Sequence, residues 1–127
     1  GSKTFAENRV LGEMFALLMQ DAGLRVHRRL GLGTTQELFE ALRTGAIDVY
    51  PEYTGTALGL MGRPPTADRD AAWARVQAAF ATRDMRFLPR LGFQSTYVVL
   101  VRGGTAAERG LETVSDLTAH ASELSWA

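Results

Sequence analysis

The run Ala46-Ile47-Asp48-Val49-Tyr50 ends on Pro51, and the residues that follow return at once to a helical pattern. Proline has no amide hydrogen to give to a ladder, so a buried strand over 46–50 must stop there. A buried strand that hands over directly to a helix is the unit from which α/β folds are made. The same alternation recurs on both sides. Val10, Leu11, Met14, Phe15, Leu17 and Leu18 repeat at helical steps between Glu7 and Gln20, and Asp21-Ala22-Gly23 supplies a stop. Leu24, Val26 and Leu30 fit a short strand. Thr34 or Thr35 can cap a helix carrying Leu38, Phe39 and Leu42, with Gly45 placed to close it.

After Pro51, a short helix is expected from Thr54 or Thr56 through Leu60. A longer one is expected from Thr66 to Thr82, with Trp73, Val76, Gln77 and Phe80 on one stripe read as core. Met85–Leu88 and Ser95–Arg102 have strand character, the second being rich in β-branched and aromatic residues. Gly103-Gly104 breaks the pattern, a helix is expected from Ser115 to His120, and Leu124-Ser125-Trp126 reads as the start of another strand. The fold class expected is therefore α/β, with no internal repeat.

Composition narrows the function classes. The 127 residues carry 14 basic and 14 acidic side chains, a formal net charge of zero, which gives no broad attraction for nucleic acid or an anionic membrane. The longest apolar runs, such as Tyr97 to Val101, fall far short of the ~20 residues a membrane span needs. Without cysteine there is no disulfide, zinc thiolate or thiol nucleophile, and His27 and His120 stand too far apart to suggest a metal site. No metal and no cofactor are expected. Lys3 is the single lysine against 13 arginines.

Three stretches could carry chemistry. Open α/β sheets bind ligands beyond the carboxyl ends of their strands, and Tyr53-Thr54-Gly55-Thr56 occupies that place. Two hydroxyls and the backbone donors there suit an anionic oxygen, and Tyr53 adds an aromatic face; the alternative is that the tyrosines pack and the threonines merely cap. Ser2-Lys3-Thr4 precedes the first helix, where an ammonium and the helix N-terminus would both attract a carboxylate or phosphate, although a lysine so near a terminus is ordinarily solvated. Phe93-Gln94-Ser95-Thr96-Tyr97 leads a loop into a strand, and Tyr97 could project into a cleft or pack across strands. Glu52 and Asp48 could form an acid–base pair, but no histidine or nucleophile stands near them, so catalysis ranks last.

Taken together, Gly1-Ser2-Lys3-Thr4-Phe5-Ala6-Glu7, Leu11-Gly12-Glu13, Leu30-Gly31-Leu32-Gly33, Ile47–Thr56, Leu91–Tyr97 and Ser115-Asp116-Leu117 resemble the substrate-binding proteins of osmoprotectant ABC importers. These are the glycine betaine, carnitine and choline binders of the OpuBC, OpuCC and archaeal ProX type. The Tyr-Pro-Glu-Tyr-Thr-Gly-Thr string at 50–56 is the most specific piece. The resemblance implies a periplasmic-binding-protein-like (type II) two-lobe fold, here mostly lobe one with the start of lobe two. It places the leading part of lobe one at 1–100, a hinge crossing at 101–104 and the start of lobe two at 105–127. The first strand of lobe one is then expected before Gly1, and most of lobe two beyond residue 127.

The resemblance also implies roles. Tyr53 and Tyr97 match positions of an aromatic cage for a quaternary ammonium, Ser95 a position lining that cage, and Lys3 and Thr56 residues that hold a ligand carboxylate. A trimethylammonium has no N–H to donate, so ring faces are its natural partners, at ~0.5–1 kcal/mol each when exposed and ~2 or more when desolvated. The implied function is non-catalytic: binding a quaternary-ammonium solute, glycine betaine before choline or carnitine because of Lys3, and delivering it to ABC permease subunits at the periplasmic or extracellular face of the cytoplasmic membrane. A ligand-sensing or regulatory domain fused to a permease or signalling protein is the alternative.

Overall fold

The computed structural model describes residues 1–125 and divides the chain into two compact units, Gly1–Pro89 and Arg90–Ala127. In the first unit, helix α1 spans Ala6–Asp21, α2 Thr35–Arg43, α3 Thr54–Leu60 and α4 Arg69–Ala81. In the second, α5 spans Gly103–Arg109 and a 3-10 helix spans Val114–His120.

The helices start where local chemistry allows. Thr34 accepts from the Glu37 amide while the Glu37 carboxylate accepts from the Thr34 amide at 2.7 Å, a reciprocal cap for α2. Asp68 caps α4 by accepting from the amides of Asp70 at 2.9 Å and Ala71 at 3.0 Å, and these bonds hold its carboxyl below the usual range. In the second unit, Gly110 ends α5 in the left-handed region, φ 61°, which no side chain enters cheaply.

The core of the first unit lies between α2, α3 and α4. Phe39, Ala57, Leu58, Ala72, Val76 and Phe80 are buried together, with Met85 and Phe87 packed against them. The Phe80 ring meets Phe39 edge-on at 5.9 Å and Phe87 at 4.9 Å, and Trp73 meets Phe87 at 6.1 Å. The expected stripe on α4 is thus core at Val76 and Phe80; Trp73 lies half-buried beside it and Gln77 is exposed.

Helix α1 buries a different face from the one its large side chains suggest. Asn8, Gly12 and Ala16, spaced four apart, face inward, while Val10, Met14, Leu17 and Leu18 are exposed. Gly12 permits the close approach. A Cβ there would stand 3.0 Å from a Leu30 methyl and 3.1 Å from the Ser2 Cβ.

The strands expected over 24–30, 46–50, 85–88 and 95–102 are not formed among the described residues. What exists is a fragmentary parallel arrangement about residues 1–3. The Ser2 amide donates to the Arg29 carbonyl at 3.1 Å, the Leu32 amide to the Ser2 carbonyl at 2.9 Å, and the Gly1 nitrogen to the Val49 carbonyl at 2.7 Å. One isolated parallel bridge pairs Lys3 with Gly33. Two of the expected strand segments therefore flank residues 1–3, but for too few residues to build a ladder. β-propensity reports how well a side chain fits a sheet surface; the neighbouring strand must still be there. At 95–102 the described residues supply none, and Tyr97, Val98 and Leu100 are exposed. Helix α5 replaces the expected break at Gly103-Gly104, whose poor helix propensity hid it. The strand start expected at Leu124-Ser125-Trp126 falls partly outside the described residues.

Candidate functional site

The loop after residue 50 and the loop before α1 meet in the first unit, and buried polar bonds join them. Ser2 is fully buried, its hydroxyl accepting from the Gly31 amide at 2.9 Å and donating to the Lys3 carbonyl at 3.1 Å. Asn8, also fully buried in the first turn of α1, accepts from the Lys3 amide at 2.7 Å and donates to the Pro51 carbonyl at 2.9 Å. One carboxamide therefore ties both loops.

Lys3 is not a solvated terminal side chain. It is 4% exposed, and its Nζ lies 2.5 Å from Oε1 of Glu52, whose side chain is equally buried. The same Oε1 accepts from the Tyr53 amide at 2.7 Å. Oε2 of Glu52 is buried and has no hydrogen-bond partner among the described residues. Such a pair contributes little net stability, because desolvation offsets the attraction, but removing one partner strands a buried charge.

The Tyr53 ring borders the pair. Lys3 Nζ stands 5.3 Å from its centroid, and the exposed Phe5 ring lies 5.9 Å away, tilted by 35°. The Tyr53 hydroxyl donates to Glu7 Oε1 at 2.5 Å. Partial burial, then the Glu7 carboxylate, push its pKa up to about 12, so the phenol is neutral at physiological pH. Tyr50 is pushed up further, by burial and then by the Glu52 charge. Thr56 sits exposed in the first turn of α3.

Lys3 and Tyr53 are therefore in direct apposition, with Thr56 three residues along on the helix that Tyr53 caps. Ser95 and Tyr97 belong to the second unit, where both are exposed. Asp48 is exposed and Glu52 is buried against Lys3. Glu52 as a partner of Lys3, Asn8 as the tie between loops, and Phe5 and Glu7 beside Tyr53 were not read from sequence. Asn8 left one signal: it is the polar member of the small-residue series Asn8, Gly12, Ala16. A surface hollow lined by Arg63, Arg75 and Arg83, among others, is formed by none of the expected residues. Among the described residues no group of three acidic, cysteine or histidine side chains could hold a metal, and no helix is long and apolar enough to cross a membrane.

Comparison with known proteins places these observations in a context. The sequence pattern of the family described as "Substrate binding domain of ABC-type glycine betaine transport system" matches residues 1–127. The "Carnitine transport binding protein OpuCC" of Listeria monocytogenes is 33% identical over 128 residues, covering 98% of this chain and 42% of that protein. The "Ergothioneine transport permease/ergothioneine binding protein EgtU" of Helicobacter pylori is 32% identical, covering 94% of this chain and 22% of that protein. Among solved structures, a "glycine betaine/carnitine/choline ABC transporter" is similar with a TM-score of 0.67 at 30% identity, over 97% of this chain and 47% of that one. The chain spans less than half the length of each.

Proposed function

This chain belongs to the family of substrate-binding domains of ABC-type glycine betaine transport systems, and from that premise we propose that it supplies part of the binding site for a quaternary-ammonium solute delivered to an ABC importer. The observation that carries this reading is the Tyr53 ring, partly open, with Phe5 on one side and the Lys3 ammonium beside it. A neutral phenol ring offers its face to a trimethylammonium. Lys3 and Thr56 take the ligand carboxylate, Ser95 and Tyr97 are further cage residues by family resemblance, and the fold is a two-lobe, type II arrangement in which 101–104 is the crossing. Glycine betaine is the first candidate, with carnitine and choline behind it, and the role is binding without turnover. The full-length protein works outside the cytoplasmic membrane, with permease subunits as partners.

Calorimetric titration of the full-length protein with glycine betaine, choline and proline tests this. Heat with a quaternary ammonium and none with proline is expected; no heat with any quaternary ammonium overturns the reading. A second reading, a binding domain fused to its own permease, is favoured by the Helicobacter relative, whose name joins the two functions. The flanking coding sequence decides between them: membrane spans in the same chain mean fusion.

A further inference from the structure

Resting on the reading of this loop pair as an osmolyte site, the geometry points to a role for Glu52, which was not among the expected binding residues. Lys3 is the single lysine of the chain, and it is buried. Its charge is matched by one carboxylate oxygen at 2.5 Å. That oxygen is fixed a second time by the Tyr53 amide at 2.7 Å, so the group that neutralises Lys3 is anchored to the residue that bears the aromatic wall. We propose that Glu52 is the specificity-determining residue of this site, holding the Lys3 ammonium in a neutral buried pair that an incoming ligand carboxylate must share or displace.

The consequence is electrostatic. A ligand carboxylate meets a neutral pair, which weakens its gain from Lys3, whereas a cationic ligand without a carboxylate escapes repulsion by Lys3. Without Glu52 the site would favour anions near Lys3. With it, zwitterion and cation are brought closer in affinity.

The test compares glycine betaine, which carries a carboxylate, with choline, which carries none, in the full-length protein and in Glu52→Gln and Glu52→Asp. The amide of Glu52→Gln keeps an acceptor for the Tyr53 N–H and removes the charge. The ratio of glycine betaine to choline affinity should rise about tenfold, since a uniform charge change within several ångströms is felt with opposite sign by the two ligands' ends. Glu52→Asp restores the charge and should return the ratio towards that of the unaltered protein. Equal weakening of both ligands in Glu52→Gln, with the ratio unchanged, means a merely structural part and overturns the proposal. If Glu52→Gln does not fold, the Lys3 side-chain ammonium signal in NMR spectra of the unaltered protein reads the same exchange. Glycine betaine should move it and choline should leave it nearly in place; a signal unmoved by glycine betaine overturns the proposal. Failure of the unaltered protein to bind either ligand is a separate result and sinks the osmolyte reading itself.

Discussion

The side-chain amide of Asn8 donates to the carbonyl of Pro51 across 43 residues of sequence, at 2.9 Å and out of contact with water. Its other end accepts from the Lys3 amide. Asn8 thus helps set the position of Lys3 relative to Glu52, since it bonds backbone atoms of both loops, alongside the Gly1 nitrogen's bond to the Val49 carbonyl.

Asn8→Ala leaves a buried N–H and a buried C=O without partners. The cost of one such group is about 1–3 kcal/mol, so a loss of about 2 kcal/mol or more is expected in urea unfolding. A loss below 0.5 kcal/mol, roughly the size of an ordinary surface change, would show that the loops are held by something else.

Two glycines should respond in opposite directions. Gly12→Leu drives a side chain into Leu30 and Ser2, which already stand 3.0 and 3.1 Å from the Cβ position, and overpacking of this kind costs about 1–3 kcal/mol. Gly59→Ala, on α3 with nothing within 4 Å, should gain about 0.5 kcal/mol by reducing the freedom of the unfolded chain. Thermal denaturation of both variants reads the signs; a gain in Gly12→Leu would contradict the packing of α1, and a loss in Gly59→Ala the open surroundings of Gly59 on α3.

Leu58→Ala should be among the more damaging truncations of the first unit. Leu58 is 1% exposed between α2, α3 and α4, and emptying such a site costs about 2–5 kcal/mol. Leu18→Ala on the outer face of α1, a residue of the same type that is 64% exposed, should change stability by less than about 0.5 kcal/mol. Comparable losses in chemical denaturation would place α1 the other way round.

Tyr53 gives a pH dependence with a definite sign. Folding raises its pKa from 10.0 to about 12, through partial burial and then through Glu7. The native state therefore favours the protonated phenol. The resulting stabilisation is complete below about pH 10 and is lost as pH rises through about 12. The ultraviolet difference between the protein and Tyr53→Phe should show a phenolate transition near pH 12; a midpoint at 10 would mean that the ring is free of both influences.

Much of the helical skeleton was legible because its signals are local. The apolar spacing of Leu38 and Phe39, a cap at Thr34, and the Val76 and Phe80 positions of the α4 stripe each depend on a few neighbouring residues, and each was found where expected; the reciprocal bond with Glu37 was added by the structure. Lys3, Tyr53 and Thr56 were picked out by their place around strand and helix ends. Strands were not legible in the same way, because a ladder belongs to two segments at once. Residues 95–102 have the composition of a strand and, among the described residues, no neighbour to make them one.

The sequence by itself determined that helices lie within about 7–20, 34–45, 54–60 and 66–82, whereas Lys3 and Tyr53, 50 positions apart, meet only through folding. Tertiary structure alone decided that α1 turns Asn8, Gly12 and Ala16 inward and leaves Val10, Met14, Leu17 and Leu18 outside. It alone decided that Lys3 arrives already paired with Glu52. The physical reason is the same in both cases: close approach of backbones and burial of charge are settled by what lies across the gap, and no local pattern of hydrophobicity records the partner.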